Sequence, residues 1–164
     1  MGSLMVLLLS VAVVSHAQKF GYVNSAGILS EMPEVKQADA NLEALQKQLQ
    51  KKGQDMLEKL QADYVAVQQR MERGELSPKQ QEEEAQKLKE REMEIGTFEQ
   101  DMRQQIQTKR DDLLGPIYDK VNTAIAEVAQ ENGYTMIFDQ AVLLYSEESQ
   151  DVSQMVKSKL GIVN

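Results

Sequence analysis

The sequence contains no cysteine, no tryptophan and a single histidine, His16. Without cysteine there is no disulfide, no thiolate nucleophile and no zinc–sulfur site, and a lone histidine leaves Ser-His triads and His-rich metal centres without their essential groups. Positive charge is in deficit: 18 Lys and Arg face 26 Asp and Glu, for a net charge of −8. Such a chain repels phosphate backbones, which excludes nucleic-acid binding through a basic stripe. No Gly-rich P-loop pattern occurs, and neighbouring carboxylates such as Glu82-Glu83-Glu84 point around a helix and do not converge on a metal. No catalytic, cofactor-binding or metal-ligating set emerges. The sequence therefore reads as a protein, not an enzyme, that acts by shape and contact.

One long apolar run is present, Leu4 to Val14, followed by Ser15-His16-Ala17 before Gln18. Small residues at the first and third of those places form a secretory cleavage signal. A run of eleven residues, all but Ser10 apolar, covers only about half of the roughly 20 that a membrane span needs, so residues 1–17 are expected to be a signal peptide, with no stable membrane insertion. Met1-Gly2-Ser3 lacks the usual basic start, and no cysteine follows to carry a lipid. The mature chain is expected to be exported.

Composition then divides the chain. Residues 34–114 hold 32 charged residues and 15 Gln among 81, but only two of the eight aromatics, Tyr64 and Phe98. Such a segment cannot build a globular core. Its apolar residues nevertheless recur at three-and-four spacing, at Leu42, Leu45, Leu49, Met56, Leu60 and Tyr64, then at Leu88, Ile95, Phe98, Met102 and Ile106, which is the seam of a coiled coil. Pro33 suits a first helical turn, Gly74 a helix end, and Ser77-Pro78-Lys79-Gln80 a capped restart. The tip therefore falls near 74–77. The short turn makes two antiparallel helices, with Leu49 opposite Met102, Leu45 opposite Ile106, Met56 opposite Ile95 and Lys52 opposite Glu99. Met71 and Met93 lie off the seam, where soft thioethers could meet a flexible partner. Gly115-Pro116 is expected to kink the second helix and to act as a hinge.

The flanks, 18–33 and 115–164, carry the other six aromatics and are expected to form a small body. Phe20–Val23, Tyr134–Asp139 and Ala141–Tyr145 read as strands, the last two as a hairpin or meander, and Asp151 caps a short terminal helix. Phe20, Tyr22, Val23, Tyr134, Ile137, Phe138, Val142, Leu144 and Tyr145 are the expected body residues. A body this small, with open strand edges and no staples, predicts a closed homo-oligomer. The fold class is α+β, mostly α, with a long helical hairpin arm on a small β-sheet body.

The order of these pieces resembles the OmpH-like (Skp) periplasmic chaperone family. The match runs from Phe20-Gly21-Tyr22-Val23-Asn24 through the charged hairpin to Gly133-Tyr134, Ile137, Asp139, Val142-Leu143-Leu144-Tyr145 and Asp151-Val152. The resemblance implies a homotrimer whose three arms enclose a cavity that holds unfolded outer-membrane proteins without ATP. Charge departs from that pattern: residues 34–74 carry seven of each sign, and 75–114 carry four more acids than bases. A lipopolysaccharide-binding role is therefore not carried over. The main rival is a structural or adaptor coiled coil of the envelope; a membrane-active amphipathic protein would need broad apolar faces backed by lysine.

Overall fold

A computed structural model describes residues 18–162, so the expected signal peptide lies outside the described residues. The elements in order are β1 (Lys19–Val23), α1 (Ser25–Glu31), α2 (Pro33–Glu72), α3 (Pro78–Asn132), β2 (Tyr134–Asp139) and α4 (Ser153–Leu160). Short 3-10 turns occupy Gln140–Val142 and Glu148–Gln150.

Each boundary has a local cause. The Asn24 side chain accepts from the Gly27 N–H at 2.7 Å and starts α1. Pro33 forces Met32 into extended backbone, which ends α1 and opens α2 in a single step. At the other end of α2, Gly74 takes a left-handed φ of 67° and Glu75 N–H reaches back to the Arg70 carbonyl at 3.0 Å, closing a Schellman turn. Ser77 and Gln80 then form a reciprocal capping box at the start of α3. Buried Leu76 pins the tip between them. Helix α2 is 40 residues long, so at 1.5 Å per residue the arm reaches about 60 Å.

The body is a parallel arrangement, which corrects the expected hairpin or meander. β1 pairs with β2 in parallel register, from Lys19 opposite Tyr134 to Val23 opposite Asp139. Parallel neighbours need a crossover, and here the whole of α1, α2 and α3 supplies it. Ala141–Tyr145 is not a strand. Asp139 ends β2 by accepting from Ala141 N–H at 2.8 Å, and that Asx turn winds the chain into a 3-10 turn and away from the sheet. The second neighbour of β1 is instead Asp151, bridged through Tyr22, with Val152 N–H donating to the Tyr22 carbonyl at 2.9 Å.

The core sits where these ends meet the roots of the long helices. Val23, Ile28, Met32, Ala38, Ile117, Val121, Ala124, Val128, Val152 and Val156 form one cluster. Helix α3 continues through Pro116, which is exposed and has no N–H to offer the Asp112 carbonyl. Gly21 is a fixed point of this packing. A Cβ there would lie 3.0 Å from Tyr134 Cε1 and 3.1 Å from a Val152 methyl. Gly21→Ala is expected to destabilise the chain by about 1–3 kcal/mol through overpacking, read as a lowered urea midpoint with unchanged slope.

Candidate functional site

Two exposed apolar surfaces stand out, one on the arm and one on the body. In the arm, Leu49, Leu88, Ile95 and Phe98 are buried between α2 and α3, and Leu42, Leu45, Met56, Leu60, Met102 and Ile106 are half-buried. Lys52, expected opposite Glu99, forms no ion pair with it. Its ammonium lies 4.9 Å from the centroid of the Phe98 ring, which packs over the bare Cα of Gly53. Toward the tip, Asp63 pairs with Arg91, Arg70 with Glu84 at 3.5 Å, and the Tyr64 hydroxyl donates to Glu92 at 2.7 Å. That bond to a carboxylate holds the Tyr64 hydroxyl pKa above its ordinary value.

Tyr64, assigned to the seam by spacing, lies at its rim with 44% of its surface exposed. It heads a second stripe. Leu57, Tyr64 and Met71 are seven residues apart and fall nearly in line along α2, with Val65 beside them, and all are exposed. A shallow depression along α2 is lined by Gln54, Leu57, Gln61, Tyr64, Val65 and Gln68. Met93 is exposed on α3. Sequence reasoning found Met71 and Met93 but passed over Leu57 and Val65, although the seven-residue repeat from Leu57 to Met71 was there to be read.

On the body, the residues expected to act together are split. Tyr22 and Val23 are buried within the chain's own core, and Tyr134 and Ile137 pack against it. Phe20 and Phe138 stand outward, ring centroids 6.4 Å apart, beside exposed Met136. Val142, Leu144 and Tyr145 follow, 71%, 107% and 82% exposed. Among the described residues no strand pairs with the outer edge of β2. An apolar sheet face beside an open edge leaves strand N–H and C=O groups free to pair.

Among the described residues no three carboxylates or histidines converge to hold a metal, and no helix is long and apolar enough to cross a membrane. The family model described as "Outer membrane protein (OmpH-like)" matches residues 19–160. The chain belongs to the OmpH-like family. The same fold is found in a crystal structure from Caulobacter crescentus CB15 described as a proposed outer membrane chaperone (OmpH-like), with a TM-score of 0.75 and 16% identity, covering 88% of this chain and 84% of that one. No curated protein matches the chain.

In this OmpH-like body the exposed loop after β2 is fastened by Asp139. Its carboxylate accepts from the Ser25 hydroxyl and from Ala141 N–H, and these bonds hold its pKa below the usual carboxylate value against a smaller opposing effect of burial. The folded state thus binds a proton less readily than the unfolded chain. The stabilisation is complete above the ordinary Asp pKa of about 4 and is lost as the pH falls through the depressed folded value. Asp139→Asn is expected to lower the urea midpoint at pH 7, with the gap from the parent chain closing below pH 4.

Proposed function

We propose that this chain is an ATP-independent holdase of the periplasm, in which a homotrimeric body presents three arms that bind unfolded outer-membrane proteins and keep them from aggregating. Membership of the OmpH-like family supports a chaperone role in general. The observation that carries the specific reading is the pair of apolar surfaces, placed so that they serve different partners. The body patch of Phe20, Met136, Phe138, Val142, Leu144 and Tyr145, with the free β2 edge, suits copies of the same chain joining edge to edge around a closed ring. The arm stripe suits a client.

Leu57, Tyr64, Val65 and Met71 are spaced among Gln, Glu and Lys and do not form one deep pocket. Contacts with such a stripe are individually weak. Repeated along about 60 Å of helix and over three arms, they hold a non-native chain by multivalency and release it when the client buries its own apolar surface. Gly115-Pro116, at the root of the arm, is the proposed hinge that lets the arms fit clients of different size. Pro116 removes one helical hydrogen bond, and a Cβ on Gly115 would meet nothing within 4 Å.

The first test is light scattering from an unfolded outer-membrane β-barrel protein diluted out of urea, with and without residues 18–164, while multi-angle scattering gives the mass of the assembly. Suppressed aggregation by a particle of about three protomers is the expected result. A trimer that leaves aggregation unchanged would transfer the reading to an envelope adaptor. Leu144→Ser with Tyr145→Ser should shift the mass toward monomer, whereas Leu57→Ser, Tyr64→Ser and Met71→Ser together should keep the trimer and weaken client affinity at least several-fold. Replacing Gly115 and Pro116 together by Ala should reduce the range of client sizes held; equal affinity for small and large clients would count against the hinge.

A further inference from the structure

The arm's two halves are held differently. At its root, the Lys120 ammonium binds Glu34 at 2.7 Å above the body core. Near the tip, Asp63–Arg91, Arg70–Glu84 and Tyr64–Glu92 tie α2 to α3. Between Glu34–Lys120 and Asp63–Arg91, among the described residues, no hydrogen bond or ion pair crosses the hairpin. The apolar seam and the Lys52–Phe98 contact hold that stretch; Leu49, Ile95 and Phe98 are buried, and Leu42, Leu45, Met56, Leu60, Met102 and Ile106 are half-buried.

Both helices carry a glycine toward the distal end of this stretch, just short of the ion-paired segment. Each costs helix stability relative to alanine, because glycine gives up the most backbone freedom on folding. Gly53 has a packing reason, since a Cβ there would come within 3.3 Å of the Phe98 ring. Gly96 has none: it is exposed, and a Cβ would meet nothing within 4 Å. Next to it, the Thr97 hydroxyl donates to the Met93 carbonyl at 3.0 Å, a bond back along the helix that competes with the ladder and favours bending. Phe98, packed over Gly53, places the weak points of the two helices at one level.

We propose that Gly53 on α2 and Gly96-Thr97 on α3 form a waist at which the arm bends, so that the ion-paired distal segment swings as a unit on the proximal one. The waist is separate from the root hinge and does not rest on the holdase reading, because the property belongs to the arm itself. It divides a 60 Å lever into two shorter ones, and the tip moves without disturbing the body.

The chain's lack of cysteine makes the test direct. Spin labels on Lys36→Cys and Gln69→Cys, both exposed sites flanking the waist, report the segment-to-segment distance by double electron–electron resonance, with labelled chains diluted in unlabelled ones. Hydrogen exchange on the same protein reports local opening. Amides 50–57 and 93–100 are expected to exchange about tenfold faster than those of 66–72 and 84–90. Gly96→Ala should slow exchange at 93–100 about fivefold and narrow the distance distribution, while Gln86→Ala, on the distal segment, should leave that distribution unchanged. Even protection from 36 to 72, or a distribution equally narrow before and after Gly96→Ala, would overturn the waist.

Discussion

Everything in this molecule depends on β1 being trapped between two distant parts of its own chain. On one side lies β2; on the other, Val152 N–H closes on the Tyr22 carbonyl, and beneath them Val23, Ile28, Val152 and Val156 exclude water. Asn24 N–H donates to the Ser153 hydroxyl at 2.9 Å, so this buried polar side chain also fastens the start of α1 to α4. Remove that closure and the charged hairpin has no base. Its seam is narrow, much of it is half-exposed, and its cross-helix ties are few and partly solvated, so each contributes little.

Much of this architecture is legible in the sequence because the strongest signals are local. Pro33, Gly74 and the Ser77–Gln80 capping box act within one turn of the chain, and α2 and α3 begin or end beside them. The sheet is less legible. Ala141–Tyr145 has the composition of a strand, yet the Asx turn at Asp139 steers it out of the sheet, while the modest pair Asp151-Val152 bridges β1 because α4 packs beneath it. Helix α1 was written in Asn24 and Gly27 but hidden by its length of seven residues. Side-chain periodicity also could not separate seam from rim: Tyr64 keeps the spacing of the seam and stands exposed.

The surfaces follow the same division. On β2, Tyr134 and Ile137 turn to the core while Met136 and Phe138 turn outward, so one short strand serves the fold on one face and leaves an exposed apolar surface on the other. Lys19 links the two ends of this region. Its ammonium lies 4.0 Å from the centroid of the Tyr134 ring and donates to the Asn132 carbonyl at the end of α3, where the helix dipole favours a positive charge.

The parallel pairing of β1 and β2 also sets an order of events. Lys19 and Asn132 are in contact although 113 residues separate them, so the body is a product of long-range closure, which is slow when the intervening chain is loose. A chain made from its N-terminus holds β1 without a partner until nearly all of it has emerged. The hairpin shortens that search, because once α2 and α3 zip from the tip, Glu34 and Lys120 arrive side by side and the effective loop falls to fewer than about 30 residues. The arm is therefore the template on which the molecule's own ends find each other, before it has any other work to do.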